Sequence, residues 1–295
     1  MNERPKKILV TGATGLVGRH VVDQLRQAGM SVRALTRDPA AAGLPAGVEV
    51  VRGDLTEPAT LAPAFDGVDR LYLFAVPETA REVVALARQA GVRRVVVLSA
   101  AAVTAGLDTY HHPRVEQAVR ESGLEWTMVR PGEFMTNVLP VWAPSIRAER
   151  VVRYPFADQV GVPVHEADVA AVAVAALLED RHAGACYTLT GPAQITYRQQ
   201  VEAIGAALGE PVRYEEVTRE HARALLKAQG GAAAASADLL LGFADYDGAD
   251  GSGQDGTSDQ DYSALLRPWP GVREATGRPA RTFAEWARDH VADFR

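Results

Sequence analysis

Ile8-Leu9-Val10-Thr11-Gly12-Ala13-Thr14-Gly15-Leu16-Val17-Gly18 is the stretch that decides the fold. An apolar run at residues 7–11 predicts a buried strand, and a segment with helical apolar spacing at residues 16–28 follows the glycines at once. Gly12 permits a tight turn, Gly15 allows the backbone to approach a pyrophosphate, and Gly18 allows the helix to pack closely on the strand. The free N–H groups at the helix N-terminus then face the anion. The stretch therefore predicts a dinucleotide-binding strand–turn–helix unit.

Short apolar runs alternate with helix-period segments through the first half of the chain, which is typical of a parallel sheet. The runs are rich in Val, Leu and Ile throughout, as expected of strands that helices cover on both faces. The predicted strands are residues 7–11, 31–36, 48–52, 70–75, 94–99 and 126–130. The predicted helices are residues 16–28, 61–65, 79–90 and 114–122, with Gly29, Gly91 and Gly123 as C-caps of three of them. We predict an α/β fold, a Rossmann doubly wound parallel sheet with helices on both faces and a smaller C-terminal α+β lobe.

The regular alternation ends after Pro131. We predict an NAD(P)-binding Rossmann domain at residues 1–150, to which segments at about 160–190 return, and a smaller substrate lobe at residues 151–295. Within the second half, strands are predicted at 151–154 and 187–190, and helices at 168–178, 197–208 and 219–227.

Residues 229–262 have low complexity, with an alanine run followed by an acidic, glycine-rich loop at 245–261. A calcium loop beginning at Asp245 fails, because Ala249 and Asp250 stand where an oxygen ligand and a glycine are needed. We expect a solvated loop there.

The whole-chain composition narrows the class of protein. A length of 295 residues suits one large domain with an appended lobe, and a net charge of −6 argues against a nucleic-acid partner. The single cysteine, Cys186, permits no intramolecular disulfide, and we expect it to be a small buried residue. Because the N-terminal residues are polar, we expect no signal peptide, and no run approaches the roughly 20 apolar residues that cross a bilayer. We expect a cytoplasmic protein without a membrane partner, and a homodimer is left open.

The end of the second predicted strand distinguishes the two nicotinamide dinucleotides. Arg37 stands there, where an arginine can grip the 2′-phosphate of NADP and an acidic residue would bind the ribose hydroxyls of NAD. Arg37 therefore favours NADP over NAD, with Arg33 as a helper. Asp54 follows the third strand, and two roles stay open for it: acceptor for the adenine amino group, or N-cap of the next helix.

Several segments resemble the atypical short-chain dehydrogenase/reductases, and the NmrA-like branch most. They are residues 8–15, Thr36-Arg37-Asp38-Pro39, Arg52-Gly53-Asp54-Leu55, Val129-Arg130-Pro131-Gly132-Glu133-Phe134-Met135-Thr136-Asn137, Thr276-Gly277-Arg278-Pro279 and Thr282-Phe283-Ala284-Glu285-Trp286. That branch includes NADPH-dependent quinone and dye reductases as well as NADP-sensing regulators. The resemblance implies that the dinucleotide is lined by Thr11, Gly12, Thr14, Gly15, Leu16, Val17, Arg37, Asp54, Leu55, Phe74, Ala75 and Val76. It also implies that Ser99 lies near the nicotinamide.

The superfamily resembled here uses a serine, a tyrosine and a lysine four residues after the tyrosine. In this chain Tyr110 is followed by Arg114 at that spacing, so Ser99, Tyr110 and Arg114 are the candidate catalytic residues. A helix that began at Pro113 would leave Tyr110 in a loop away from Arg114. His111 and His112 are weaker candidates.

A possible metal cluster at His165, Glu166 and Asp168 lacks a further histidine at ligand spacing, so we expect no metal there and predict that Asp168 caps the alanine-rich helix.

These observations predict an NADPH-dependent oxidoreductase that reduces a small conjugated carbonyl, quinone or imine by hydride transfer. Phe134, Met135, Trp142 and Tyr154 either form an apolar wall at the reactive end of the cofactor or close the core between the lobes. Two alternatives remain. One is a non-catalytic NADP(H)-sensing regulatory protein of the NmrA type, favoured by the missing lysine, and the other is an epimerase-like biosynthetic tailoring enzyme.

Overall fold

A parallel sheet of seven strands forms the centre of the structure, a computed structural model that describes residues 7–243 and 262–295. Its strands, in chain order, are β1 Ile8–Val10, β2 Val32–Thr36, β3 Glu49–Arg52, β4 Arg70–Phe74, β5 Arg94–Leu98, β6 Glu125–Pro131 and, later in the chain, β9 Ala185–Leu189. They are arranged in the order β3-β2-β1-β4-β5-β6-β9, so the chain winds outwards from β1 in both directions. Val10 pairs with Ala34 on one side and with Tyr72 on the other. The predicted doubly wound sheet is confirmed.

Helices cover both faces of this sheet and bury two separate apolar clusters. One face carries α1 (Leu16–Gln27), α7 (Glu166–Leu178) and α11 (Gly271–Thr276), and the other carries α2 (Ala62–Phe65), α3 (Ala80–Gln89) and α5 (His111–Arg120). A short helix, α4 (Ala101–Thr104), follows β5. Because both faces are covered, the strands are apolar throughout rather than alternating, as the sequence pattern predicts.

A third apolar cluster lies in the smaller lobe and begins at Met135. It involves α6 (Leu139–Glu149), α8 (Tyr197–Leu208), α9 (Arg219–Gln229), α10 (Gly231–Leu240) and α12 (Phe283–Asp289). Two small sheets accompany these helices: β7 (Val151–Tyr154) pairs in parallel with β11 (Arg213–Glu216), and β8 (Val160–Gly161) pairs antiparallel with β10 (Ile195–Thr196). Between them the chain returns to the large sheet through α7, which packs on α1, and β9, which pairs with β6. The domain boundary at residue 150 stays a prediction.

The sequence pattern did not predict some of the helices and strands, for identifiable reasons. Helix α6 contains Pro144 and has a proline in its first turn, so helical spacing alone does not indicate it. The strands β8 and β10 have two residues each, too few for a periodic signal. The alanine run, to which the sequence analysis assigned only low complexity, forms α10. Cys186 is exposed rather than buried, because it lies on the edge strand β9.

The acidic loop predicted at 245–261 lies outside the described residues. Within the described ranges, no helix has both the length and the apolar character needed to cross a membrane.

Candidate functional site

A cavity of about 510 Å³ opens at the carboxyl ends of β1, β2 and β4, the position at which open α/β sheets bind ligands. Eleven of the twelve predicted cofactor residues line it: Thr11, Gly12, Thr14, Gly15, Leu16, Val17, Arg37, Asp54, Leu55, Phe74 and Val76. Ala75 does not, because its side chain is buried in the apolar cluster beneath α3. The sequence analysis did not assign Leu35, Thr36, Gly53, Thr56, Tyr72 and Leu98 to the site, although they also line the cavity.

The glycine turn has the geometry needed to receive a diphosphate. Gly12 has a φ of +59°, a conformation that favours glycine, and its carbonyl accepts a hydrogen bond from the N–H of Gly15 at 2.9 Å. A side chain at Gly18 would overlap the carbonyl oxygen of Gly12, so only glycine lets α1 approach the turn this closely. No side chain caps the N-terminus of α1, which leaves its first N–H groups free for an anion.

Arg19, on the first turns of α1, holds this phosphate-binding turn against the segment after β2. Its guanidinium donates to the carbonyl oxygens of Thr14, Ala42 and Gly43 at 2.9–3.0 Å. Arg19 thereby fixes the position of the turn relative to the end of the cavity that lies beside β2. Sequence analysis missed this role, because it depends on a contact about 23 residues away.

Arg37 lies exposed at the end of β2, where it lines the cavity, and it makes no hydrogen bond or ion pair with any described residue. Its guanidinium is therefore available to an incoming phosphate. Arg33, predicted as its helper, cannot serve in this way. It is buried and donates to the carbonyl oxygens of Pro63, Ala64 and Asp66 and to the carboxylate of Glu49.

Asp54 closes a local turn and caps no helix. Its Oδ1 accepts hydrogen bonds from the N–H and the hydroxyl of Thr56, at 2.9 and 2.8 Å, and these bonds hold its pKa below the usual range. The following 3-10 helix, Pro58–Thr60, has Glu57 at its N-cap, so the capping alternative is wrong. Oδ2 has no hydrogen-bond partner among the described residues, and Asp54 lines the cavity. The contact with the adenine amino group stays a prediction.

Tyr72 contributes a buried polar atom that the sequence analysis overlooked. Its hydroxyl, on the central strand β4, has no hydrogen-bond partner in the described structure, although the residue lines the cavity. A buried hydroxyl without a partner costs free energy, and at the cavity wall it is available for a hydrogen bond with a bound group. Phe74 and Leu16 line the same cavity and are unusually exposed for large apolar residues, at 47% and 44%. The free helix N-terminus, the orphaned hydroxyl and the uncovered apolar walls together fit a dinucleotide.

The candidate catalytic pair, Tyr110 and Arg114, is in contact. Helix α5 begins at His111, not at Pro113, because the Asp108 carboxylate accepts the N–H groups of Tyr110, His111 and His112 and so caps an earlier start. The Arg114 guanidinium donates to the Tyr110 hydroxyl and lies 4.7 Å from its ring centroid. The separation considered from the sequence is therefore wrong. Neither side chain lines the cavity, and their catalytic roles stay predictions.

Ser99 is buried at the end of β5 in a polar network. Its hydroxyl donates to Glu116 at 2.6 Å, and Arg130 donates to both oxygens of the same carboxylate. Burial would raise the pKa of Glu116, but the hydrogen bonds from Arg130 and Ser99 lower it below the usual range. The proton of Ser99 is thus directed at a carboxylate and not at the cavity, which Ser99 does not line.

The predicted apolar wall divides between the two alternatives. Phe134 lines the cavity, whereas Met135, Trp142 and Tyr154 are buried in the core of the smaller lobe.

Among His165, Glu166 and Asp168, the cap of α7 is His165, whose Nδ1 accepts the N–H of Ala167 at 3.1 Å. Asp168 instead accepts from the backbone and the guanidinium of Arg281, so the predicted cap was wrong. No group of three potential ligands in the described chain could hold a metal ion.

Comparison with known proteins gives a consistent family. The model of the NmrA-like family matches residues 4–257. A (4-alkanoyl-5-oxo-2,5-dihydrofuran-3-yl)methyl phosphate reductase from Streptomyces griseus subsp. griseus is 41% identical, over 97% of this chain and 99% of its own length. An NAD(P)H azoreductase from Xenophilus azovorans is 36% identical, over 97% and 99% respectively. The crystal structure of an NADPH-dependent quinone oxidoreductase from Escherichia coli in complex with NADPH superposes with a TM-score of 0.74. It is 26% identical and covers 96% of this chain and 99% of that chain.

Proposed function

The chain belongs to the NmrA-like family and is an NAD(P)H-dependent oxidoreductase of the atypical short-chain dehydrogenase/reductase type; from that premise we propose that it is an NADPH-dependent reductase of small conjugated acceptors. The acceptor would be a conjugated carbonyl, a quinone or an imine. The observation that carries the cofactor choice is the unpaired Arg37 at the mouth of the cavity, and the names of the relatives support the acceptor class.

The residues around the cavity divide the task of holding the dinucleotide. The N–H groups at the start of α1 would bind the diphosphate, and Asp54 Oδ2 would accept from the adenine amino group. Phe74 and Leu16 would cover apolar ring surface. When bound, the cofactor supplies a hydride, and Phe134 and Leu98, at the β5 and β6 side of the cavity, would confine the reactive end and exclude water.

The preference for NADPH over NADH follows from charge. A 2′-phosphate brought against the β2 end of the cavity would meet the free guanidinium of Arg37. Without that phosphate, the exposed arginine has nothing to grip except water and the nearby Asp54 carboxylate, whose pKa it helps to lower. Charge-assisted hydrogen bonds of this kind are about twice as strong as neutral ones.

The acceptor class rests on a chemical feature that the named relatives share. A 5-oxo-2,5-dihydrofuran with an alkanoyl group, an azo compound and a quinone all carry a conjugated double-bond system that can take up a hydride. The 41% identity to the first of these favours a conjugated lactone or ketone among them. Because the named relatives are reductases, turnover is favoured over the sensor alternative, and nothing in the described site favours an epimerase.

The proposal is tested by measuring NADPH oxidation by the purified protein with menadione, an alkanoyl butenolide and an azo dye. Each assay is repeated with NADH in place of NADPH at the same concentration. We expect turnover with at least one conjugated acceptor and a clear preference for NADPH. Binding of NADPH without its oxidation in the presence of any of the three acceptors would contradict the reductase function and would favour the NADP(H)-sensing alternative.

The same preparation, passed over a size-exclusion column with light scattering, tests whether the protein is a homodimer. A cytoplasmic location stays a prediction of the sequence.

A further inference from the structure

The lining of the cavity divides between the two faces of the large sheet. Near Arg37 and Asp54, at the ends of β2 and β3, its apolar residues Leu35 and Leu55 belong to the cluster beneath α3. On the other side of β1, the lining residues pack in the cluster beneath α1; they are Val17, Tyr72, Leu98 and Phe134. With the adenosine held beside Arg37 and Asp54 and the diphosphate at the start of α1, the nicotinamide half of the cofactor extends to this second end.

Tyr72 supplies the polar side chain of this second end. The other lining residues from β4, β5 and the segments after β4 and β6 are apolar: Phe74, Val76, Leu98 and Phe134. The remaining polar side chains of the described lining come from β2 and from the turns after β1, β2 and β3. A ligand at the second end therefore meets one side-chain hydroxyl in an otherwise apolar wall. Pockets with such a lining use their few polar groups to fix the orientation of the ligand.

The backbone of Tyr72 is tied to the start of the glycine turn. Its carbonyl oxygen accepts hydrogen bonds from the N–H and the hydroxyl of Thr11, at 3.0 and 2.9 Å, and the Thr11 hydroxyl accepts the N–H of Phe74 at 2.8 Å. Parallel pairing with Val10 and Val96 holds the strand on both sides. Tyr72 therefore has a fixed position relative to the phosphate-binding turn.

The hydroxyl of Tyr72 is an unused donor. It has no hydrogen-bond partner among the described residues, and its oxygen atom is buried, so bulk water does not satisfy it as it satisfies the exposed guanidinium of Arg37. Burial raises the pKa of Tyr72, so the hydroxyl keeps its proton at neutral pH and is able to donate it to an acceptor. A nicotinamide ring carries one carboxamide, whose carbonyl oxygen is such an acceptor.

We propose that the Tyr72 hydroxyl donates a hydrogen bond to the carboxamide oxygen of the nicotinamide and thereby sets the orientation of the ring. The inference rests on the NADPH binding proposed above and adds the residue that holds the reactive half of the cofactor. This bond gives a partner to a buried donor whose unpaired state costs the empty protein free energy. Tyr110 and Arg114, at the spacing of the superfamily's tyrosine and lysine, lie outside the cavity lining and leave this task to another residue.

The first test measures binding by calorimetry, with NADPH and with 2′-phospho-ADP-ribose, which keeps the 2′-phosphate and the diphosphate but has no nicotinamide. We expect Tyr72→Phe to bind NADPH about 2- to 10-fold more weakly than wild type, as for one neutral hydrogen bond. The same variant should bind 2′-phospho-ADP-ribose with wild-type affinity. Arg37→Ala, at the opposite end of the cavity, is the matched control and should weaken the binding of both ligands by the same factor.

The second test uses the thionicotinamide analogue of NADPH, in which sulfur, a weaker acceptor, replaces the carboxamide oxygen. Wild type should bind NADPH more tightly than this analogue, and Tyr72→Phe should bind the two with nearly equal affinity. Thermal unfolding of the empty variant, with a midpoint at or slightly above that of wild type, shows that the substitution leaves the fold intact.

Three results would overturn the assignment. One is an equal loss of affinity for NADPH and 2′-phospho-ADP-ribose in Tyr72→Phe, which would place the hydroxyl at the adenosine or diphosphate half. Another is wild-type affinity of Tyr72→Phe for every ligand, and the third is an undiminished difference between NADPH and its thio analogue. Failure of the proposed reductase function is seen in wild type instead, as NADPH binding without oxidation by any acceptor, and the binding measurements on Tyr72→Phe do not depend on turnover. Absence of NADPH binding by wild type would contradict both proposals.

Discussion

Two side chains in the cavity, Arg37 and Tyr72, carry polar groups that the protein itself leaves without a partner. Arg37 is exposed and Tyr72 is buried on β4, so their unpaired states have different consequences. A free guanidinium at the surface is solvated and costs little, whereas a buried hydroxyl without a partner lowers the stability of the empty protein. Both should gain a partner when the dinucleotide binds.

Replacing Arg37 by alanine should weaken NADPH binding about 10- to 100-fold, because a charge-assisted hydrogen bond to phosphate contributes about 1.5–3 kcal/mol. NADH, which lacks the 2′-phosphate, should bind within about twofold of its wild-type affinity by the same reasoning. Titration calorimetry with both nucleotides measures the difference. Arg288→Ala, an exposed change on α12, is the control and should affect neither. Equal losses for the two nucleotides in Arg37→Ala would contradict the NADP preference.

Tyr72→Phe removes only the orphaned hydroxyl. We expect the free energy of unfolding of the empty protein to stay unchanged or to rise slightly, because no protein hydrogen bond is lost. The affinity for NADPH should fall about 2- to 10-fold, as for one neutral hydrogen bond. Urea unfolding with and without NADPH reports both quantities. If NADPH stabilised the variant as strongly as wild type, the hydroxyl would not contact the cofactor.

At the scale of elements, the turn between β1 and α1 assigns different tasks to its glycines. Gly12 supplies the positive φ, and Gly18 lets α1 pass against the Gly12 carbonyl. At Gly15 an added Cβ would approach the same carbonyl oxygen at 3.2 Å, a contact that a small shift relieves. Packing therefore depends on Gly18, while Gly15 keeps the mouth of the phosphate site open.

Two alanine substitutions separate these tasks. Gly18→Ala should lower the free energy of unfolding by about 1–3 kcal/mol or more, because overpacking forces α1 away from the turn. Gly15→Ala should leave the thermal midpoint of the empty protein within a few degrees of wild type and should still abolish most NADPH binding, because its methyl group occupies the phosphate approach. Thermal unfolding with and without NADPH distinguishes the two variants. Normal NADPH binding by Gly15→Ala would show that the diphosphate lies elsewhere.

At the scale of the whole molecule, a buried carboxylate links the C-terminal segment to the cofactor-binding half. Glu166, at the start of α7, accepts a hydrogen bond from His290 Nε2 at 2.7 Å, and His20 from α1 and His165 also face it. Burial would raise the pKa of Glu166, but its hydrogen bonds with His165, His20 and His290 hold it well below the usual range. Burial would lower the pKa of His290, but hydrogen bonds with Glu166 and Asp293 raise it above 6.5.

These directions predict how stability depends on pH. The Glu166 contribution is present above its unfolded pKa near 4.5 and is lost as pH falls through the lower folded value. The His290 contribution is complete below 6.5 and is lost as pH rises through its raised folded pKa. The pair therefore stabilises the fold most between about pH 5 and 6.5, and wild type should become less stable from pH 6 to pH 8.5.

His290→Ala tests this dependence. At pH 6 it should lower the free energy of unfolding by about 1–3 kcal/mol, because the buried Glu166 carboxylate loses a donor. The stability difference between pH 6 and pH 8.5 should be smaller in the variant than in wild type, as measured by urea unfolding at both values. His221→Ala, which removes an exposed imidazole in the first turn of α9, is the control. An unchanged pH dependence in His290→Ala would contradict the proposed coupling.

What the sequence determined by itself are the features that depend on residues close together in the chain. The strand, the glycine turn and α1 occupy consecutive positions, and Arg37 is recognised by its place at the end of a strand, so most of the sheet and eleven cavity residues could be predicted. Only the tertiary structure decided which polar groups are satisfied. Ser99 is engaged by Glu116 on another element, Arg33 by carbonyls after β3, and Glu166 by a histidine 124 residues away. The buried hydroxyl of Tyr72 stays free because no described residue of the folded chain brings a partner to it, and the absence of a partner in space leaves no local pattern in a sequence.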